Sequence, residues 1–222
     1  MMRWMYLAPR TKPLRFYDYK TAASARRVRI FIAGKSLQIE TIEVDLAHAE
    51  HLGAAFKLIN PRCTVPILVL EDGTTLTENA GIAAFLEAYQ PDPPLLGTNA
   101  TEKGLIANWN ARVELEGRLP LADAFRNRTK GLKDRATIGP TNYPQIPELA
   151  ERGWAQGAEF FAMLDQRLAN VEYLAGTTFS LADITALVVI DFAAWIKLGP
   201  ADEHMHTKRW LALVRQRPSC SL

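Results

Sequence analysis

The segment Asn60-Pro61-Arg62-Cys63-Thr64-Val65-Pro66 runs straight into the apolar Ile67-Leu68-Val69-Leu70, and its residue types are those of a peptide-binding strand edge. Proline has no N–H, so Pro66 is tolerated at a strand start, where a missing donor is not needed. The Val65-Pro66 bond is expected to be cis, with the Val65 N–H and C=O left unpaired, free to make an antiparallel ladder with a peptide-like ligand. Asp72-Gly73 then reads as a tight hairpin turn, and Leu76-Thr77 leads to Glu78-Asn79 at the start of a helix. Taken alone, Glu78-Asn79 reads as an ordinary helix cap; its place after a Val-Pro strand start favours a ligand role, and both roles use the same helix N-terminus.

This arrangement resembles the glutathione-binding half of the cytosolic glutathione transferases, and its closest likeness is to their atypical bacterial and fungal branch. The likeness extends to Arg26-Arg27-Val28-Arg29-Ile30 in the first helix, and to Tyr173-Leu174-Ala175-Gly176 with Phe179-Ser180-Leu181-Ala182-Asp183-Ile184 in the C-terminal part. Trp210 to Pro218 resembles the last helix, so the resemblance covers about residues 14 to 218. It implies an α/β thioredoxin-like domain of order βαβαββα followed by an all-α C-terminal domain. It also implies glutathione as co-substrate with no metal, a hydrophobic electrophile as second substrate, and a homodimer.

The resemblance places Val65 and Pro66 at the cysteinyl part of glutathione, and Glu78 and Asn79 at its γ-glutamyl end. At the glycyl end it points to His51, while the position of a second histidine is taken by Cys63; neighbouring Arg62 could supply a fixed charge instead. The serine or cysteine position of the family falls on Ala22, which has no donor. Thr21 and Ser24 are the nearest hydroxyls, with Tyr17 and Tyr19 on or just after the first strand. Ser24 serves either as a helix N-cap or as thiolate donor, and backbone N–H groups around Ala23 to Ala25 with Arg26 could stabilise the thiolate themselves. A helix carrying Trp109, Arg112, Glu114, Leu119, Ala122, Phe125 and Arg126 would face the second substrate, or else form core and dimer face. A glutathione-dependent disulfide reductase or peroxidase is the rival enzyme, the reductase form opposed by the lack of a cysteine at position 22; a noncatalytic binding or assembly module is the other, supported by Ala22 and opposed by the intact Val65-Pro66 and Glu78-Asn79 positions.

The elements that must position these residues follow from periodicity. Leu14 to Asp18 suits a first strand, Ser24 can cap a helix from Ala25 to Ala33 with Gly34 as its stop, and Leu37 to Val44 alternates with the period of a second strand. A short helix from His51 to Ile59 ends at Asn60-Pro61, because proline disfavours helical geometry before it. Ile67 to Leu70 and Thr74 to Thr77 form a hairpin, and Asn79 to Tyr89 reads as an amphipathic helix with Ile82, Phe85, Leu86 and Tyr89 on one face. Pro91, Pro93, Pro94 and Gly97 mark a linker over 91–100, after a thioredoxin-like unit over 14–90. Helices over Thr101 to Arg128, Pro147 to Val171, one opening at Ser180, and His206 to Arg217 fill the all-helical unit over 101–222. Ser180 with Asp183 three residues on has capping-box spacing, a structural role for Asp183.

Composition limits the alternatives. The 222 residues are 48% apolar with a formal net charge of +2, and the charges are interspersed, so neither nucleic acid nor a membrane surface is expected as partner. The most apolar segment, Ile184 to Ile196, holds Asp191 and is too short to span a bilayer. Residues 1–13 carry Pro9 and Pro13 and no long apolar run, and read as an extended or disordered leader to the fold rather than a secretory signal. Two cysteines without a C-x-x-C imply neither disulfide framework nor zinc site, and a cytoplasmic location. Glu203, His204 and His206 lack metal-site spacing and read as a solvated turn.

Overall fold

Strand β1 (Arg15–Asp18) is buried on both faces, as a strand must be when it lies between neighbours under helices. The computed structural model describes residues 13–222; nearly all of the expected N-terminal extension lies outside the described residues. In a four-stranded sheet of order β2-β1-β3-β4, β1 pairs in parallel with β2 (Glu40–Glu43) and antiparallel with β3 (Ile67–Val69), which pairs antiparallel with β4 (Thr75–Leu76). The alternating run Leu37 to Val44 thus becomes a strand only over four residues. Its length is set by its partner, because Arg15 to Asp18 can ladder no more than Glu40 to Glu43.

Helix α1 (Ala23–Gly34) buries Ala25, Arg27, Val28, Ile30 and Phe31. It begins earlier than expected, and this corrects the capping role given to Ser24. Ala22 is the extended N-cap, its carbonyl accepting from Arg26 N–H at 2.9 Å, so Ser24 already lies inside the first turn. The stop is also not Gly34. Ser36 takes the left-handed conformation (φ 55°), and the N–H groups of Ser36 and Leu37 return to the carbonyls of Ala33 and Ile32 at 3.0 and 3.1 Å, a Schellman closure.

The expected helix from His51 to Ile59 is two pieces, a 3₁₀ turn (Glu50–Leu52) carrying His51 and helix α2 (Ala54–Ile59). Gly53 between them is extended, with its N–H closing the turn on Glu50 O at 2.9 Å. Asn60 is extended before Pro61, as a residue preceding proline should be. Its buried side chain shapes the next turn, donating to Thr64 O at 2.9 Å and accepting from Arg62 N–H at 3.0 Å, while Cys63 takes φ 57°. Val65-Pro66 is cis. The β3–β4 hairpin turns at Gly73 (φ 90°), braced by Thr74 N–H on Asp72 Oδ1 at 2.8 Å, and α3 (Asn79–Tyr89) follows with Ile82, Ala83 and Leu86 buried. Phe85 is half-buried and Tyr89 lies 49% exposed, so the expected apolar face is buried only in part.

The proline-rich segment after α3 is held by a cation. Lys35 is fully buried, and its Nζ donates to the carbonyls of Pro91 (3.1 Å) and Pro93 (2.6 Å) and pairs with Glu87. Glu87 in turn accepts from the N–H groups of Leu95 and Leu96. An ammonium and a carboxylate out of water persist only when paired and hydrogen-bonded like this.

The rest is helical: α4 (Ala100–Arg112), α5 (Leu119–Arg126), α6 (Pro147–Leu168), α7 (Leu181–Ala193) and α8 (Met205–Arg215), then a 3₁₀ turn (Pro218–Ser221). The one long helix expected over Thr101 to Arg128 is interrupted by a π-helical stretch (Val113–Arg118). The reason is Pro120. It cannot donate to the carbonyl four residues back, and the wider turn, with Leu119 N–H reaching Glu114 O, accommodates the ring without breaking the rod. Helix α6 packs closely on α5 because Gly153 has no Cβ; one placed there would lie 2.2 Å from the Pro120 carbonyl. α7 is buried all round from Leu181 to Ile190, as a central helix should be.

Candidate active site

Two helix N-termini, those of α1 and α3, meet at the C-terminal edge of this sheet. Asn79, the first residue of α3, joins them: with its amide oriented by its hydrogen-bonding partners, Nδ2 donates to Ser24 O (2.8 Å) and Oδ1 accepts from Arg27 Nη2 (2.9 Å). The Asn79 side chain is therefore engaged within the protein, and its backbone N–H is what remains at the helix start. Glu78 beside it is the exposed, extended N-cap residue. Among the described residues no hydrogen bond uses the N–H groups of Ala23, Ser24 or Ala25, as expected for a first helical turn without a side-chain cap. Both helix dipoles present their positive ends here, so the place favours anions.

Charge is organised around the same point. Arg27 is 4% exposed and pairs with Glu114, which also binds Arg118. Burial pulls the Arg27 pKa below the usual guanidinium value, opposed by Glu114 and more weakly by Glu78. Burial pushes Glu114 upward, but Arg27 and Arg118 outweigh it and hold the carboxyl below its ordinary value. Glu114 and Arg118 both lie in the π-helical stretch, four residues apart, and both join this network from the helical half. Sequence reasoning gave neither Arg27 nor Arg118 a role. The available signal was an arginine on the apolar face of α1, four residues before Phe31, which calls for a distant carboxylate.

The other expected site residues spread along the same edge. Val65 is buried, and among the described residues no hydrogen bond uses its backbone N–H or C=O. Arg62 is exposed on the turn shaped by Asn60, and Cys63 is buried, its thiol donating weakly to Pro61 O at 3.7 Å. His51 is half-buried; burial, then Arg135 and Arg126, pull its pKa below the ordinary imidazole value. Thr21 is exposed in the turn before α1, Ala22 and Ser24 are half-buried, and Tyr17 is buried in β1. Beside the start of α1, Arg26 binds Asp191 of α7 at 2.6 Å. One residue on, Phe192 meets Phe125 and Trp195 edge to face, with ring centroids 5.4 Å from each. Trp195 is 53% exposed, so this aromatic wall is open to a ligand. His204 accepts from Ala201 N–H at 3.1 Å within a turn, and among the described residues no His, Cys, Asp or Glu group could hold a metal ion.

The N-terminal half, residues 23–88, matches the family model of the glutathione S-transferase N-terminal domain, and residues 138–218 match that of the glutathione S-transferase C-terminal domain. The chain belongs to the glutathione S-transferase family. This transferase is 32% identical over 213 residues to glutathione S-transferase 2 of Saccharomyces cerevisiae, spanning 91% of this chain and 86% of the yeast protein. In structure it resembles Gtt2 of the same yeast (TM-score 0.84, 32% identity, 93% of this chain and 98% of the other). A glutathione S-transferase domain-containing protein of Marinobacter aquaeolei is equally similar (TM-score 0.85, 32% identity, 93% and 99%). The transferase is an enzyme acting with glutathione, and its sheet-and-helix half followed by a helical half is the fold expected from the resemblance.

Proposed function

We propose that glutathione lies along the joined helix N-termini, with its thiolate over the start of α1, and attacks an apolar electrophile held against the aromatic wall. The observation that carries this reading is the Asn79 bridge between Ser24 O and Arg27, which holds both positive helix ends at one place. Glu78 accepts from the γ-glutamyl ammonium, the Asn79 N–H and its helix end take the α-carboxylate, and the Val65 backbone pairs with the cysteinyl unit. His51 and Arg62 stand toward the glycyl carboxylate. Pro66 holds Val65 in its place. The thiol proton leaves to solvent, the sulfur lone pair forms the new C–S bond, and the electrophile's leaving group departs with the bond's electrons.

Ala22 offers only its backbone, so thiolate stabilisation falls to the N–H groups of Ala23 to Ala25, with the Ser24 and Thr21 hydroxyls as lesser donors. A thiolate at a helix N-terminus has a lowered pKa. The bound thiol should therefore titrate below its free value, read by thiolate absorbance against pH. Ser24→Ala and Thr21→Ala should each slow conjugation of an aryl halide less than about tenfold. A dedicated side-chain donor to developing charge is worth on the order of 100-fold or more, so a collapse in either variant would replace the backbone account. Thiol exchange at Cys63 is disfavoured, because that sulfur is buried under its own turn.

A second copy of the chain is proposed against α3 and α4, where a cavity of about 870 Å³ is lined by Ala80, Ala84, Ala88, Ala107 and Ala111. Sedimentation equilibrium showing only monomer would remove it. Units over 14–90 and 101–222 with a linker over 91–100, and a cytoplasmic location, complete the proposal. Among the described residues no helix is long and apolar enough to cross a membrane.

A further inference from the structure

Arg126, Arg135 and His51 meet where the helical half overhangs the Arg62-Cys63 turn, and among the described residues neither arginine has an acidic partner. Among the described residues Arg126 bonds only to carbonyls, those of Arg135 (2.6 Å), Thr137 (3.0 Å) and Ala136 (3.2 Å). Arg135 donates to Asn142 Oδ1 and Gly139 O, both at 2.9 Å, which leaves part of its fork unused. His51 Nδ1 is buried with no hydrogen-bond partner among the described residues, and both arginine charges are felt at its ring. The excursion between α5 and α6 that carries Arg135 lies on the N-terminal half: a Cβ at Gly139 would be 3.7 Å from Arg62 O. Two half-buried guanidinium groups that repel each other, beside this imidazole nitrogen, form a place that a carboxylate would stabilise.

We propose that Arg135, backed by Arg126, is a positioning residue contributed by the helical half, and that it binds the glycyl carboxylate of glutathione together with His51. It supplies the cation that position 63 lacks, so that one substrate is gripped by both halves of the chain. This rests on the placement of glutathione given above, with the γ-glutamyl end at Glu78 and the glycyl end toward His51.

The test is calorimetric titration of wild type, Arg135→Gln, Arg135→Lys and Glu78→Gln with glutathione and with γ-glutamylcysteine, which lacks the glycyl unit. Arg135→Gln should weaken glutathione on the order of tenfold, the loss of one charge-assisted bond at a partly screened site, and leave γ-glutamylcysteine unchanged. Arg135→Lys should recover part of the loss. Equal weakening of both peptides would reduce Arg135 to a structural role, and no change for either would end the proposal. A changed KM for an acid-bearing electrophile, with glutathione affinity intact, would assign the carboxylate to the second substrate and overturn it too. Glu78→Gln should weaken both peptides. If it weakens neither, the placement of glutathione itself is wrong, a failure distinguishable from that of Arg135.

Discussion

Asp183→Ala should destabilise the protein by about 4 kcal/mol, the largest single-residue loss expected outside the apolar core. Its carboxylate is fully buried and accepts four hydrogen bonds: Leu174 N–H and Trp210 Nε1 at 2.9 Å on Oδ1, and Ser180 N–H and Oγ at 3.0 Å on Oδ2. Removing it strands four buried donors at once, at the start of the central helix α7. Against a total stability of about 5–15 kcal/mol, such a variant is marginal at 37 °C. Burial raises the Asp183 pKa to about 6, although all four bonds oppose this. Between the unfolded carboxyl value of about 3.9 and 6 the folded state then binds the extra proton, so this group's contribution to stability falls as pH rises through that window. The change is about 3 kcal/mol. Urea unfolding of wild type and Asp183→Ala at pH 4.5 and pH 7 should show the larger difference between them at pH 4.5. A larger difference at pH 7 would mean that the four donors keep the carboxylate ionised well below 6.

Glu114→Ala should cost about 3 kcal/mol and weaken glutathione binding as well. Removing one partner of a buried ion pair typically costs about 3–5 kcal/mol, because the other charge stays out of water; the low end applies because Glu114 is itself 24% exposed. Arg27, 4% exposed, would keep only the Asn79 oxygen as a partner and would repel Arg118. The double variant Arg27→Met/Glu114→Leu separates the two effects. Apolar replacement of a buried pair is often neutral, so stability should recover most of the loss, whereas glutathione affinity should not, since Asn79 loses the arginine that orients it. Unfolding curves and titrations on the three proteins read both. Full recovery of affinity in the double variant would show that the pair is structural only.

The βαβαββα order and the helical half were legible because they rest on local physics. Periodicity of apolar residues, Pro61 and Pro91 to Pro94 as terminators, Asp72-Gly73 as a turn, and Ser180 with Asp183 as a cap all act within a few residues of where they sit. The misjudged boundaries are those set by neighbours. β2 stops at four residues because its partner strand has four. The Thr101 to Arg128 pattern runs on as one helix, and Pro120, whose bond to the carbonyl four residues back cannot form, is its one local sign of an interruption.

Along the chain, the residue types at the site were readable one by one: Val65-Pro66, Glu78-Asn79, His51, Arg62, and the missing donor at Ala22. Their alliances were not. Arg27 and Glu114 are 87 residues apart, and Asn79 reaches back to Ser24 and Arg27. Arg135 lies in a polar stretch with no periodicity to mark it, and its charge reaches His51 only because the helical half folds over the Arg62 turn. Ion pairs and shared carboxylates are satisfied through space, so the sequence by itself determined which chemistry is present and, to within a turn, where most of the helices begin, α5 at Leu119 being the exception. Only the tertiary structure decided which charges neutralise one another and which two are left waiting for an anion.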